Sequence, residues 1–470
     1  LSVLPVGFGS AAGGTPAGAI ERSLRFNSAD SAYLNRTPGS ATDRQKWTWS
    51  SWVKLGSLTI NQMIFSAGAT SGANVYAYWN TDNTLSIRFD QEASGNVGVT
   101  AAVNRDPSAW YHVVFALDTT QATAANRVKI YINGVQQDTT GSTFPSQNFN
   151  TAMNNNVAHS IGRRGYDATS YASSLLSEII HVDGQQLTPS SFGETDSATG
   201  VWKPKAYSGT YGTNGFELNF SDNSNTTAAT LGKDSSGNGN NWTPNNFSVT
   251  AGVGNDSLVD SPTAYGTDTG VGGSVRGNYC VLNPLQKGAS ISASNGNLDA
   301  VGSGANAYPI IIGSLAVDSG KWYFETTVGG SGSVNLSLGI VSNLSGLTQN
   351  HLNNYFATSP NGYATFYSYD QSGDKRTGAT ATAYGASFTL NDVIGVAFDA
   401  DAGTLTFYKN GASQGQAFTG ISQYPAAPAI RIYAGYTSQI ISANFGQRAF
   451  AYTAPSGFKA LCTTNLPTPT

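Results

Sequence analysis

Charged side chains are scarce in this chain. Asp, Glu, Lys and Arg make up 11% of its 470 residues, against roughly 25% in ordinary globular proteins. Lys and Arg number 24 and Asp and Glu 28, for a formal net charge of −4. A surface that grips phosphates concentrates Lys and Arg, so nucleic acid is excluded as a partner. Cysteine is almost absent: Cys280 and Cys462 cannot form a disulfide framework. They are either two buried thiols or one bridge closing the C-terminal half. No run of 18 apolar residues exists, so no membrane insertion is expected. Residues 1–14 lack a basic flank followed by a long apolar stretch and do not read as a signal peptide. No amphipathic helix longer than two turns is found, and one short helical turn is expected at 189–193. Disorder is excluded by the 11% aromatic content, which such chains lack.

What is present is strand and turn. The 54 glycines fall with Asn, Ser and Asp between short runs rich in Val, Ile, Tyr, Phe and Thr. The expected fold is all-β: two tandem antiparallel β-sandwich (jelly-roll) domains behind an extended N-terminal arm. Residues 1–22 form the arm, 23–205 the first sandwich, 278–463 the second, and 464–470 a tail. Strands are expected at 23–27, 47–55, 63–67, 75–79, 84–90, 110–118, 127–132 and 175–182. Residues 206–277 have a linker's composition. About seventy structureless residues are improbable, and Trp242, Phe247 and the strand-like 215–221 seek burial, so part of this connector should pack on the first sandwich. Both sandwiches carry one hairpin design. An apolar strand ends in Asp118 or Asp399, and an alternating strand then ends in Tyr131-Ile132-Asn133-Gly134 or Tyr408-Lys409-Asn410-Gly411, suited to a type I′ turn.

Residues 23–34 (SLRFNSADSAYL), 47–53, 110–117, 128–135 (VKIYINGV) and 177–183 together resemble laminin-G-like, concanavalin A-type jelly rolls. Residues 320–325 (GKWYFE), 334–341, 392–398, 405–411, 424–425, 444–446 and 458–461 resemble the SPRY fold in nearly its whole order. The segment DSSGNGNN at 234–241 resembles the opening of many laminin-G-like modules, although here it follows the module. Residues 216–220 are therefore expected to return as an edge strand. The whole arrangement, arm and connector included, resembles structural proteins of tailed bacteriophages, where such modules are displayed as fibres, appendages or decorations. The resemblance implies a virion-surface location and other virion proteins as partners. It also implies a homo-oligomer, a trimer by analogy with phage fibres.

Concanavalin-type sandwiches include glycosidases, which need paired carboxyl groups. The glutamates are Glu21, Glu92, Glu178, Glu194, Glu217 and Glu325, and no two lie within ten residues. Asp399 and Asp401 read as turn residues bonding local backbone. The chain is therefore expected to be non-catalytic. His112, His159, His181 and His351 are scattered, and His112 and His181 read as packed strand residues. No cofactor is expected; Asp30, Asp167 and Asp183 offer the oxygen ligands of Ca²⁺ without a spacing that requires it. Arg164 or Arg163 could pair with Asp167. Binding remains, and aromatics are its usual handles. The candidate ligand-binding residues are Tyr76, Tyr78 and Trp79 in the first sandwich and Tyr355, Tyr363, Tyr367 and Tyr369 in the second. Host-surface glycan or a neighbouring virion protein is the expected partner. A purely structural capsid or tail component and a secreted lectin-like adhesin are the alternatives.

Overall fold

The computed structural model describes residues 16, 18–68, 70–90, 96–139, 141–353, 364–378, 380–421 and 425–467. Tyr355, Tyr363 and most of the expected arm lie outside them. The chain divides into two compact units. The first holds the described residues up to Thr250 with Gly254–Thr263, and the second holds Ala251–Val253 and the residues from Ala264 onward. Among the described residues no helix is long and apolar enough to cross a membrane.

The first unit contains β1 (Ser23–Phe26), β2 (Tyr33–Arg36), β3 (Lys46–Leu55), β4 (Gln62–Ala67), β5 (Val75–Trp79), β6 (Leu85–Phe89), β7 (Asn96–Val99), β8 (Trp110–Asp118), β9 (Val128–Ile132), β10 (Val135–Gln136), β11 (His159–Ile161), β12 (Ser174–Asp183), β13 (Gly193–Thr195), β14 (Trp202–Pro204), β15 (Phe216–Leu218), β16 (Thr243–Asn245) and β17 (Ser257–Leu258). One sheet runs β10-β9-β8-β3-β12-β1-β17, with β15 also on β12, and the other runs β16-β2-β11-β4-β5-β6-β7. The twofold alternation of a strand turns Trp47, Trp49, Val53 and Leu55 of β3 inward, where the tryptophans meet Phe65 of the facing sheet, which also packs on Phe115 of the neighbouring strand β8.

The connector completes this sandwich. β15, β16 and β17 all lie within 206–277, and β15 is the expected return strand, paired with β12 at Phe216↔His181. Trp242 is 1% exposed and packs on Phe216 at 5.0 Å. Each large apolar side chain so buried contributes roughly 1.5–3 kcal/mol. The DSSGNGNN loop clasps β15: Asp234 accepts the backbone N–H groups of Glu217, Ser236 and Asn240. Further on, Arg25 meets Asp256 at 3.0 Å. Lys54 meets Asp260 at 2.7 Å, with Trp110 Nε1 donating to the same carboxylate. Of residues 206–277, 251–253 and 264–277 belong to the second unit and the rest to the first; apolar side chains and two buried ion pairs hold that part to the first sandwich despite its Gly/Asn/Ser composition.

The second unit contains β18 (Leu282–Lys287), β19 (Ile291–Ser294), β20 (Asp299–Gly302), β21 (Ile310–Gly313), β22 (Lys321–Gly330), β23 (Leu336–Ser342), β24 (Thr365–Asp370), β25 (Asp374–Thr377), β26 (Thr380–Ala383), β27 (Val393–Asp399), β28 (Thr404–Lys409), β29 (Ala412–Phe418), β30 (Ala426–Ile432), β31 (Gln439–Asn444) and β32 (Lys459–Ala460). Its sheets run β18-β21-β30-β23-β24-β25-β26 and β19-β20-β31-β22-β27-β28-β29, with β32 parallel to β22. Cys280 and Cys462 are buried free thiols.

The shared hairpin extends to side chains. Asn133 and Gly134 have φ of 49° and 81°, and Asn410 and Gly411 have 50° and 79°, as a type I′ turn requires. Asn133 Oδ1 accepts the N–H of His112, and Asn410 Oδ1 that of Val393, each at 2.8 Å. An aromatic ring covers each glycine: a Cβ would stand 2.6 Å from Trp202 at Gly134 and 2.5 Å from Tyr452 at Gly411.

Candidate functional site

Of the two outer faces of the first sandwich, one is closed. The outer side of β8, β9 and β12 is sealed by Phe192, Leu187, Tyr207 and Tyr211. Trp202 lies over it too, stacked on His112 and donating to its Nδ1 at 2.9 Å. The other sheet is different. Its inward residues, among them Leu34, Ile161, Phe65, Ala77 and Ile87, fill the core. Its outward positions form one row across five strands. Arg88 pairs with Tyr76, Tyr76 with Ser66, Ser66 with Ser160, and Ser160 with Asn35.

The loop 163–171 lies on this row. Gly165 N–H donates to Ser66 Oγ at 2.9 Å, and Ser66 Oγ donates to the Arg163 carbonyl at 3.0 Å. A Cβ at Gly165 would come within 3.1 Å of Ser66 Oγ and 3.3 Å of Ser160 Oγ, so glycine permits the close approach. Arg164 donates from Nε to both oxygens of Asp167 at 3.1 Å and lies 5.0 Å from the Tyr166 ring and 5.9 Å from Tyr76. This is the expected Arg–Asp167 pair. Arg163 stacks 3.5 Å over Tyr33, whose ring is 6.2 Å from Tyr171. Arg88 Nε donates to Asp90 at 2.6 Å.

Burial, followed by the nearby Asp90, pushes the Tyr76 hydroxyl up to about 12, and burial also raises Tyr78. Both therefore stay neutral and can donate or accept. The hydrogen bond from Arg164 holds Asp167 below the usual carboxylate range. The face thus offers aromatic rings, guanidinium groups and hydroxyls, the equipment for stacking on a sugar ring and hydrogen-bonding its substituents.

The expected binding residues divide. Tyr76 and Tyr78 lie on this face, with rings 5.5 Å apart, Tyr78 half-buried and Tyr76 only 4% exposed. Trp79 does not: strand alternation turns it into the core, 1% exposed and 5.6 Å from Tyr111. In the second sandwich Tyr369 is likewise corrected to a core residue, 0% exposed among Tyr384, Phe388 and Phe407. Tyr367 is half-buried against Phe418. The three aspartates considered for Ca²⁺ have separate partners: Asp30 accepts from Asn27, Asp167 from Arg164, and Asp183 from Asn154 and the Asn214 N–H. Asp399 accepts the Ala402 N–H, as a turn residue does, but Asp401 accepts that of Gly320, far along the chain, so its local-turn reading is corrected. His112 and His181 are packed, hydrogen-bonded strand residues.

Sequence spacing missed one carboxyl pair. β15 sets Glu217 opposite Ile180 of β12, and β12 bulges between Ser177 and Ile180, where Glu178 takes a φ of 45°. Burial, then the neighbouring Glu217, raises the Glu178 carboxyl well above its usual range. The Tyr211 hydroxyl donates to Glu217. Sequence reading also passed over Tyr33, Arg88 and Tyr171; the Tyr33-Leu34-Asn35 alternation was the available signal for Tyr33. On the second sandwich it passed over a cluster of Tyr308, Tyr433 and Tyr436, with centroids 5.1 Å and 4.8 Å apart in sequence.

Residues 27–190 match the family model described as the concanavalin A-like lectin/glucanases superfamily, and residues 321–448 match the SPRY domain model. The chain thus joins a laminin-G-like sandwich to a SPRY sandwich. Among solved structures, the SPRY domain of human HERC1 is 19% identical, covering 34% of this chain and 96% of that one, with a TM-score of 0.27. A native heptameric SAP-like pentraxin from Limulus polyphemus is 18% identical, covering 36% of this chain and 78% of that one, with a TM-score of 0.28.

Proposed function

We propose that this chain is a non-catalytic binding protein of a bacteriophage virion, displayed as a fibre, appendage or decoration, that attaches to host-surface glycan through the first sandwich. The observation that carries the binding reading is the outer sheet face on which half-buried Arg88 and Tyr78 lie beside the loop arginines Arg163 and Arg164, with Tyr76, Ser66 and Ser160 buried beneath the loop 163–171. The non-catalytic reading is supported by the sequence, in which no two glutamates lie within ten residues of each other, and the virion assignment by the sequence resemblance of arm, connector and modules. Repeated surface polymers bind weakly per site, so display as a homo-oligomer, a trimer by analogy, gains affinity through multivalency. The isolated chain should compete with intact particles for adsorption to host cells, and Tyr78→Ala should compete less well. Undiminished adsorption in excess chain removes the attachment role and leaves the purely structural alternative, in which the partners are neighbouring virion proteins.

A further inference from the structure

We infer that Arg163, stacked on Tyr33, receives the carboxylate of an acidic sugar unit. This rests on the reading of the face as glycan-binding and names the chemistry of its ligand. Six other arginines of the first sandwich have partners. Arg25 pairs with Asp256, Arg88 with Asp90 and Arg164 with Asp167. Arg127 donates to the carbonyls of Gln121, Pro145 and Ala122, Arg44 to those of Thr151 and Asn150, and Arg36 to Asn240 and the Asn214 carbonyl.

Arg163 stands apart. It is half-buried, its guanidinium carbon lies 3.5 Å over the Tyr33 ring, and its Nε reaches Ser160 Oγ at 3.5 Å, the outer limit of a hydrogen bond. Among the described residues no carboxylate pairs with it, and its two terminal nitrogens have no hydrogen-bond acceptor. The ring covers one face of the guanidinium and leaves the edge as its donor surface, and that edge matches a carboxylate in two parallel hydrogen bonds. The stack and the pinned loop hold the group in one pose, so little side-chain freedom remains to be lost on binding. Tyr171 beside Tyr33 and Asn35 on the same strand supply a ring face and a carboxamide for the rest of the sugar. In a chain so poor in charge, a half-buried guanidinium whose terminal nitrogens meet neither a carboxylate nor a carbonyl among the described residues marks where an anion is expected.

Titration calorimetry of the full chain with an oligogalacturonate, its neutral methyl ester and a sulfated neutral oligosaccharide tests this. The acid should bind about tenfold or more tightly than the ester, as a charge-assisted bidentate contact implies. Arg163→Met should erase the preference, Arg163→Lys should retain only part of it, Tyr33→Phe should keep it and Tyr33→Ala should weaken it. Equal binding of acid and ester, or an unchanged preference in Arg163→Met, overturns the inference. Sulfated ligand binding as tightly as the uronate overturns the carboxylate assignment. If the ester binds wild type and Arg163→Met alike while Tyr78→Ala weakens it, the glycan reading stands and only this inference falls. If none of the three binds, both fall.

Discussion

Lys54→Met tests whether the connector is an integral part of the first sandwich. Lys54 projects from β3 and meets Asp260, which lies beyond β17, at 2.7 Å, with both side chains at most 2% exposed. Asp260 Oδ1 also accepts Trp110 Nε1 at 3.0 Å, and its backbone carbonyl accepts the Ser23 hydroxyl. One aspartate thus ties the connector to β3, β8 and β1. Methionine keeps most of the lysine's volume but removes the cation, while the carboxylate stays buried. Breaking one partner of a buried pair costs about 3–5 kcal/mol. For a domain of this size each kcal/mol moves Tm by roughly 2–4 °C, so the first sandwich should melt on the order of 6–20 °C lower by differential scanning calorimetry. Lys203→Met is the control: its pairs with Glu194 and Asp196 are exposed, and such pairs contribute at most about 1 kcal/mol. If Lys54→Met melts like Lys203→Met, the clamp does not hold the connector.

Three buried histidines should set the acid limit. Burial holds His112 and His181 down to about 3 and His159 to about 4, against 6.5 for the free side chain. The unfolded chain then binds more protons below about pH 6.5, and stability falls by up to ~1.4 kcal/mol per histidine per pH unit. Urea unfolding at pH 7 and pH 5 should show the loss, and equal midpoints would contradict it. Glu178 works in the opposite direction. Its folded carboxyl is raised, so its favourable contribution is full below the usual glutamate range near 4.5 and declines as pH rises. Glu178→Gln should therefore gain stability relative to wild type between pH 5 and pH 8, and a constant difference would contradict the raised Glu178 carboxyl. Gly134→Ala and Gly411→Ala should each destabilise by more than about 1 kcal/mol in denaturant titration, because φ is positive and an aromatic ring occupies the space. Wild-type midpoints in both variants would show that the rings yield.

The strands of the first sandwich were legible because their alternation is clean: the expected 47–55, 75–79 and 110–118 end within a residue of β3, β5 and β8. Both Asn-Gly hairpins were legible because that dipeptide tolerates positive φ at both positions. The site was half legible. The aromatic cluster at 76–79 was visible, but strand alternation divides it, leaving Tyr76 and Tyr78 outside and Trp79 within. Tyr369 was misread for the same reason, since the facing Phe407 and Phe388 that bury it lie far along the chain. The Arg163–Tyr33 stack and the Glu178–Glu217 pair join residues 130 and 39 positions apart in the sequence. Only the folding of one strand or loop onto another brings them together, and no local spacing records that.

The central claim is that the outer face of β2, β11, β4, β5 and β6 is the glycan-binding surface. The most direct test is NMR shift mapping of the chain while a host-surface oligosaccharide is added. The account predicts perturbations concentrated at Tyr33, Tyr76, Tyr78, Arg88, Arg163 and Arg164, with Trp79 and the second sandwich unmoved. Perturbations confined to the second sandwich, or none at saturating oligosaccharide, would contradict it.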